Sequence, residues 1–160
     1  MAEIDLVCPW VDGNDPAWQQ ERQHYASPEQ QSSAILFRDW DLMRYWFRGV
    51  ENAVPWIRTV HFVTWGHLPP WLNTAHPKLH VVRHDAFLPK TYRPTFNSSA
   101  IMLNVHRIPG LAEQFLLAND DFFFLDRVAP EEYFQSGLPC DCLHILPITE
   151  VCTDHFGYVL

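Results

Sequence analysis

The sequence predicts an α/β domain built on a mostly parallel sheet flanked by helices. Four short β-rich runs recur along the 160 residues, and helical spacing or helix caps lie between them. Strands that alternate with helices in this way form parallel sheets. The apolar share of 48% and the charged share of 19% are those of a globular domain. Because 160 residues suffice for one core, we predict a single domain over residues 1–160.

The first half of the chain contains one strand and one clear helix. Residues 4–10 form a β-rich run that ends in a cluster of turn-forming residues at 11–16. The polar, Gln-rich stretch that follows to Ser33 is expected to be a partly helical excursion or a flap. Large apolar side chains at helical spacing then predict an amphipathic helix over residues 39–50.

Three further strands and one capped helix are predicted downstream. The strands cover residues 59–65, 79–83 and 115–118, each bounded by Gly, Pro or turn-forming residues. Asn97, Ser98 and Ser99 supply a cap for a helix that runs to about residue 107. The alternation of strands and helices is expected to continue past the last predicted strand, because residues 149–160 resemble the start of another element.

The charge balance narrows the classes of partner. Eleven basic and 19 acidic residues give a formal net charge of −8, and the isoelectric point is near 5.5. The electrostatic field of a protein with this excess of negative charge repels nucleic acid and anionic lipid. The acidic start lacks a secretory signal, and no run of about 18 apolar residues predicts a transmembrane helix. We expect a soluble, cytoplasmic protein.

The four cysteines are expected to be reduced thiols, since nothing in the sequence indicates secretion. Cys140, Cys142 and His144 lie close together and raise the question of a zinc site. A Cys-x-Cys spacing is shorter than the usual two-residue gap of structural zinc sites. The spacing therefore disfavours structural zinc.

The strongest chemical signal is Asn119-Asp120-Asp121, directly after a predicted strand. Ligands of open α/β sheets gather at the carboxyl ends of strands. Paired carboxylates there suit Mg²⁺ or Mn²⁺, which prefer oxygen ligands and bridge to diphosphate oxygens. The motif predicts a divalent cation held by Asp120 and Asp121, and the alternative is a solvated turn whose Asp residues cap the next element.

A second acidic loop follows the first predicted strand. Asp12 and Asp15 lie on it, Gly13 allows a sharp turn toward a ligand, and Trp10 is able to stack on a base or sugar. The alternative here is an ordinary Asp-Gly turn over a buried Trp. No Gly-rich phosphate loop and no nucleophile elbow is present, which argues against P-loop, dinucleotide and triad enzymes.

Basic residues are few, so we take their clusters as candidate phosphate contacts. Arg44 and Arg48 lie one turn apart on a predicted helix, and His106 and Arg107 follow another. For Arg44 and Arg48 the alternative is a pairing one turn apart or packing over aromatic rings. For His106 it is a place in the core.

With these residues in view, most of the chain resembles the Stealth family of sugar-phosphate transferases. A first block at about 4–18 contains the run from Ile4 to Val7 and the run from Trp10 to Asp15. A second block at about 38–134 contains, in order, Arg44-Tyr45, Pro55-Trp56-Ile57, Phe62-Val63-Thr64, Pro70-Trp71-Leu72-Asn73, Pro94-Thr95-Phe96-Asn97-Ser98, the run from His106 to Leu111, and Asn119-Asp120-Asp121.

The resemblance implies a Rossmann-like or GT-A-like fold of the nucleotide-sugar-transferase type. It also implies transfer of hexose-1-phosphate or N-acetylhexosamine-1-phosphate from a nucleotide sugar, of the UDP-N-acetylhexosamine type, to a hydroxyl of a polysaccharide or glycan. A nucleoside monophosphate leaves and a phosphodiester forms in capsular or exopolysaccharide synthesis. Such a protein works in the cytoplasm or, through other proteins, at the inner face of the membrane.

On this reading we assign roles to eleven residues. The catalytic candidates are Asp12, Asp120, Asp121, His106 and Arg107, and one of the carboxylates is the candidate general base. The substrate-binding candidates are Trp10, Gly13, Asp15, Arg44, Asn97 and Ser98.

The chain departs from the family pattern at two places and in length. Cys8-Pro9 stands where the family usually has Tyr-Thr, and Met102 stands where a Glu is common. Family members carry two further blocks downstream, with basic residues thought to act on the transferred phosphate. We therefore expect a fragment, a split gene product or a trimmed form that turns over poorly by itself.

Two other functions remain open at this point. One is a metal-dependent glycosyltransferase of similar fold, which transfers the sugar alone and releases a nucleoside diphosphate. The other is an inactive domain that binds a nucleotide sugar or a partner chain.

Overall fold

The computed structural model describes residues 3–26, 37 and 40–141 of the chain. Two compact units are present, Met1–Ala129 and Pro130–Leu160. Several sequence predictions lie outside the described residues: the end of the polar excursion, the element expected at 149–160, and the cysteine positions 142 and 152 with His144.

The first unit is built on a four-stranded parallel sheet with flanking helices, which confirms the predicted fold class. Its strands are β1 (Ile4–Pro9), β2 (Val60–Thr64), β3 (Leu79–Arg83) and β4 (Gln114–Leu117), in the spatial order β3-β2-β1-β4. Leu6 of β1 lies opposite Val60 of β2 and Leu116 of β4, so β1 is hydrogen-bonded on both sides.

The strand order reverses at β1. The chain first moves outward from β1 to β2 and β3, and then returns to place β4 on the other side of β1. Ligands of open α/β sheets bind at such a switch point, at the carboxyl ends of the strands. The Ala118 N–H donates to the Val7 carbonyl at 3.0 Å, which ties the end of β4 to β1 at this point.

Between β1 and β2, the part of the chain that the structure describes contains two α-helices. Helix α1 (Pro16–Tyr25) begins at the Asp15 cap, with proline at its first position. Helix α2 (Met43–Ala53) starts later than predicted because Asp41 has a φ of 55°, which a right-handed helix cannot contain. It buries Met43, Trp46, Val50 and Ala53 against the sheet at helical spacing.

The crossover from β3 to β4 contains short helices only. Helix α3 (His84–Phe87) follows β3 directly, and α4 (Ser98–Met102) is shorter than the helix predicted for residues 97–107. The Asn104 side chain donates to the Ala100 carbonyl at 2.9 Å and so competes with the helical backbone. A 3₁₀ turn, Val105–Arg107, replaces the rest of the predicted helix.

The core on one face of the sheet consists of strand valines and the β3–β4 crossover. Its members are Val7, Val63, Val82, Phe87, Leu88, Ile101, Val105 and Ile108. The second unit contains a 3₁₀ turn, Pro130–Glu132, and a hairpin of β5 (Phe134–Gln135) and β6 (Leu138–Pro139), which the sequence analysis did not predict. Within the described residues, no helix is long and apolar enough to span a bilayer.

Candidate functional site

The candidate site lies at the carboxyl edge, which we define as the segments that directly follow the four parallel strands. These segments are Trp10–Asp15 after β1, Trp65–His67 after β2, His84–Asp85 after β3 and Asn119–Asp121 after β4. Because the strands are parallel, all four segments lie at the same end of the sheet.

The turn after β4 brings Asp120 and Asp121 to the end of β1. The Phe122 N–H donates to the Asn119 carbonyl at 3.2 Å, which closes the turn. Burial raises the pKa of the Cys8 thiol on β1, and the two carboxylates raise it further through their negative charge. The structure therefore places both acids beside β1, at the switch point between β1 and β4.

The loop after β1 is a tight turn that leads into α1. Asp12 Oδ1 accepts the Asn14 N–H at 2.9 Å, and the Asp15 N–H donates to the Asp12 carbonyl at 3.2 Å. Asp15 Oδ1 accepts the Trp18 N–H at 2.8 Å and so caps α1. Asp12 and Asp15 are both half-buried at the carboxyl edge, and each also has a role in the loop itself.

Trp10 and Gly13 have packing partners inside the protein. The Trp10 ring is 8% exposed and stacks on Phe62, with centroids 5.4 Å apart. A Cβ on residue 13 would lie 2.0 Å from the Phe37 carbonyl oxygen, so only glycine fits against residue 37. These contacts explain both residues without a ligand, and their roles in a donor pocket stay predictions.

Two histidines at the carboxyl edge were missed by the sequence analysis. His67 follows β2, and its Nε2 accepts the Asp12 N–H at 2.7 Å. His84 follows β3, and burial lowers its pKa to about 4, against the opposing charge of Asp85. Both histidines directly follow predicted strands, and this position would have identified them. As a criterion for site residues, it was used for acidic residues only.

Arg83 is a basic residue of the carboxyl edge that was also missed. Its Nη1 lies 2.7 Å from the place where a Cβ on residue 66 would stand, and glycine is favoured there because the φ of Gly66 is 146°. Arg83 Nε lies 3.5 Å from Asp85 Oδ1, and the arginine side chain is 60% exposed. A cation is thus exposed beside the segment that carries His67.

Arg44 borders the carboxyl edge from the side of α2. Its guanidinium carbon lies 5.3 Å from the ring centroid of Trp71. The ring centroid of Phe47 lies 6.1 Å from that of Trp71 and 5.4 Å from that of Phe62. Phe62 in turn stacks on Trp10. This contact is the packing over an aromatic ring that the sequence analysis kept as an alternative.

Asn97 and Ser98 lie at the start of α4, near α1. Asn97 Oδ1 accepts the N–H groups of Ser99 at 2.9 Å and Ala100 at 3.3 Å. The preceding Phe96 packs on Trp18 of α1, with centroids 5.8 Å apart. The predicted cap is confirmed, and both residues are exposed on the α1 side of the molecule.

His106 and Arg107 lie shortly before the chain reaches the other end of the sheet, which we call the amino edge. They occupy the 3₁₀ turn after α4, and shortly afterwards the Gly110 carbonyl accepts a hydrogen bond from Arg58 Nη2 at 2.8 Å. The Ala112 N–H donates to Asp5 near the start of β1. Asp120 and Asp121 lie at the carboxyl edge, and the catalytic roles of His106 and Arg107 stay predictions.

The carboxylates at the switch point fit a cation that completes its shell with other ligands. Among residues 3–26, 37 and 40–141, no group of three or more His, Cys, Asp or Glu side chains could hold a metal ion. Mg²⁺ is usually bound through one or two carboxylates together with waters and substrate phosphates. Asp120 and Asp121 suit that kind of binding. The zinc question at Cys140 falls partly outside the described residues.

Two family models match the sequence. Residues 2–27 match "Stealth protein CR1, conserved region 1", and residues 36–140 match "Stealth protein CR2, conserved region 2". Together the two matches cover both acidic loops of the carboxyl edge.

Curated relatives match the same part of the chain. It is 45% identical over 139 residues to the capsular polysaccharide phosphotransferase WcwK of Streptococcus pneumoniae. It is 45% identical over 140 residues to the exopolysaccharide phosphotransferase cps2G of Lactiplantibacillus plantarum, and 42% identical over 141 residues to the capsular polysaccharide phosphotransferase CpsJ of Streptococcus thermophilus. The alignments cover 85%, 87% and 85% of this chain, but only 42%, 42% and 59% of the relatives.

Proposed function

Because the chain belongs to the Stealth protein family, we propose that it supplies the donor side of a sugar-phosphate transferase. In this proposal a hexose-1-phosphate or N-acetylhexosamine-1-phosphate moves from a nucleotide sugar to a hydroxyl of a growing polysaccharide. The names of the relatives, which are capsular and exopolysaccharide phosphotransferases, support a role in polysaccharide synthesis. We propose a donor of the UDP-N-acetylhexosamine type and a cytoplasmic site of action.

The observation that carries the proposal is the meeting of two acidic loops at the switch point. Asp12 follows β1, while Asp120 and Asp121 follow β4, and these strands are neighbours with opposite crossover directions. A crevice between two such loops is where α/β sheets bind nucleotides. The donor diphosphate would lie there, with its charge facing the carboxylates.

A diphosphate beside carboxylates requires a cation. Mg²⁺ or Mn²⁺, when bound by Asp120 and Asp121, would neutralise the diphosphate and the charge that develops on the leaving phosphate. Arg83 is an exposed basic side chain at the end of β3 and is a candidate contact for phosphate oxygens. We build the proposed site from the carboxyl edge alone, and the roles of His106 and Arg107 stay predictions.

The reaction also requires removal of one proton. The acceptor oxygen bonds to the phosphorus that carries the sugar, the bond from that phosphorus to the bridging oxygen breaks, and a nucleoside monophosphate leaves. Asp12 is our candidate for the carboxylate that takes the proton of the acceptor hydroxyl. The hydrogen bond from Asn14 to its Oδ1 fixes the orientation of this carboxylate.

Product analysis tests the proposal. This chain and a full-length relative are each incubated with UDP-N-acetylglucosamine, Mg²⁺ or Mn²⁺ and a glycan acceptor, and phosphorus NMR identifies the products. We expect UMP and a phosphodiester from the full-length relative, and the same products at a much lower rate from this chain. UDP as the sole nucleotide product would indicate transfer of the sugar alone. Tight binding without turnover, in this chain and in full-length relatives alike, would indicate an inactive binding domain.

A further inference from the structure

We propose that His67 is a positioning residue that holds the loop from Asp12 to Asp15 in the shape required by the donor site. The proposal rests on the proposed function of the carboxyl edge. No sequence motif pointed to this histidine, because its contacts are made to a loop 55 residues earlier in the chain.

The hydrogen bond from Asp12 determines the state of the imidazole. The Asp12 N–H donates to Nε2 at 2.7 Å, so Nε2 carries no proton and the neutral ring carries its proton on Nδ1. Nδ1 lies 3.7 Å from Asp15 Oδ2, and the side chain is 10% exposed. Buried Nδ1 has no hydrogen-bond partner, so its donor faces the Asp15 carboxylate without bonding to it.

The surroundings of the ring keep it neutral and fixed. The rings of Trp10 and His67 are perpendicular, at 87° with centroids 5.4 Å apart, and the centroid of the Trp65 ring lies 5.7 Å from that of His67. Burial lowers the pKa of His67, although Asp15 and Asp12 act in the opposite direction. The charge of His67 in turn contributes to the lowered pKa of His84.

One imidazole therefore contacts both ends of a four-residue loop. Within this loop, Asn14 and Asp15 bond back to Asp12, so its residues move together. The anchor on the Asp12 N–H sets where the Asp12 carboxylate lies relative to β2. A displacement of about 1 Å in such a group is enough to lower activity by about 10²-fold. The histidine thus acts on the reaction through Asp12 and touches no substrate.

Two variants separate this role from simple packing. His67→Gln offers an amide oxygen at about the position of Nε2, so it can still accept the Asp12 N–H. His67→Leu keeps much of the volume and removes the acceptor. His76→Leu is the matched control, because His76 Nδ1 also accepts a backbone N–H, from Lys78 at 3.2 Å, in a segment outside the carboxyl edge.

Calorimetric titration with UDP-N-acetylglucosamine and Mg²⁺ measures the effect in variants that melt cooperatively. We expect His67→Leu to weaken binding about tenfold or more, and His67→Gln and His76→Leu to stay within about threefold of wild type. Equal affinity for His67→Leu and wild type, or equal losses for His67→Leu and His67→Gln, would overturn the proposal.

An NMR measurement tests the contact without any ligand. Nitrogen-15 shifts of His67 are expected to show the proton on Nδ1, and the Asp12 amide should exchange slowly in wild type and His67→Gln but rapidly in His67→Leu. If wild type binds no nucleotide sugar, the proposed function fails and the Asp12 amide decides the positioning role alone. Equal exchange in all three proteins would overturn that role.

Discussion

The two edges of the sheet use aspartate in opposite ways. At the amino edge, the fully buried Asp5 carboxylate accepts hydrogen bonds from Arg58 Nε at 2.8 Å, Arg58 Nη2 at 2.5 Å, His61 Nε2 at 2.9 Å and the Ala112 N–H at 2.8 Å. At the carboxyl edge, Asp12 accepts the Asn14 N–H of its own loop, Asp15 accepts the Trp18 N–H of α1, and both remain half-buried.

The difference shows which acids serve the fold. Burial would raise the pKa of Asp5, but the hydrogen bonds from Arg58, Ala112 and His61 outweigh burial and lower it. A carboxylate with four donors joins β1 to two neighbouring segments and has no capacity left for a ligand. Asp121, in contrast, is exposed at the end of β4 and beside a switch point. We therefore expect substitution of the buried acid at the amino edge to change stability, and substitution of the exposed acid at the carboxyl edge to change binding.

The largest effect is expected for Asp5→Asn. The amide keeps the size of the side chain but leaves Arg58 and His61 without their shared anion, which should lower the free energy of unfolding by about 3 kcal/mol. Urea unfolding measures this loss. Glu3→Gln is the control, because Glu3 also pairs with Arg58, at 2.7 Å, but is 69% exposed, and its loss should be below about 1 kcal/mol. Equal losses for both variants would contradict the distinction between buried and exposed partners.

The next effect is a loss of stability in acid that originates at the carboxyl edge. The pKa of His84 is lowered to about 4 from an ordinary value of 6.5, so the unfolded chain binds the proton more readily. The contribution of neutral His84 to the free energy of unfolding is fully present above pH 6.5. It is lost as the pH falls toward 4, by up to about 3 kcal/mol. The lowered pKa of Asp5 matters only in stronger acid, below its ordinary value of 3.8.

Urea unfolding between pH 7.5 and pH 4.5 checks this prediction. His84→Gln should lose clearly less stability than wild type over this interval, because the amide does not titrate. His24→Gln, at an exposed histidine of α1, should follow wild type. A wild-type-like slope for His84→Gln would place the acid sensitivity elsewhere.

The third expected effect is on binding alone. Asp121→Asn keeps the size of an exposed side chain and removes one charge from the proposed cation site, so the Mg²⁺-dependent affinity for UDP-N-acetylglucosamine should fall about tenfold or more. The free energy of unfolding should change by less than about 0.5 kcal/mol. Calorimetry and urea unfolding on the same samples measure both quantities.

Asp126→Asn is the control for that measurement. Asp126 is an exposed carboxylate five positions further along the chain, whose Oδ1 accepts the Arg127 N–H. Its removal tests whether any local loss of negative charge alters binding. If Asp126→Asn and Asp121→Asn weaken binding equally, the cation site is not at the turn after β4.

The strands were predictable because their signals are local. Short apolar runs bounded by Gly, Pro, Asn or Asp placed all four strands to within one residue at each end. The acidic loops could be predicted for the same reason, since an acid after a strand is visible in the sequence. Helix α2 began late because Asp41 adopts a left-handed conformation, and nothing in the local spacing indicates this.

The contacts that the sequence did not predict join segments that are distant in the chain. His67 bonds to Asp12, and Arg58 bonds to Asp5, across 55 and 53 positions respectively. For His106 and Arg107, composition could not show whether the crossover had already returned to the amino edge. The path of this crossover depends on where its short helices end. Here α4 ends after little more than one turn, where the Asn104 side chain bonds to the Ala100 carbonyl.

The smallest expected effect concerns whether the carboxyl edge extends to α2. Arg44 packs on Trp71 at 5.3 Å, and Arg48, one turn later, packs on Tyr45 at 5.7 Å. Each exposed contact should contribute about 0.5–1 kcal/mol, so Arg44→Gln and Arg48→Gln should lower stability by similar amounts. Only Arg44 contacts a residue of the segment after β2, so only Arg44→Gln should also weaken UDP-N-acetylglucosamine binding. The difference in affinity between Arg44→Gln and wild type should become smaller as the salt concentration increases. Equal binding by the two variants would leave Arg44 with a packing role alone.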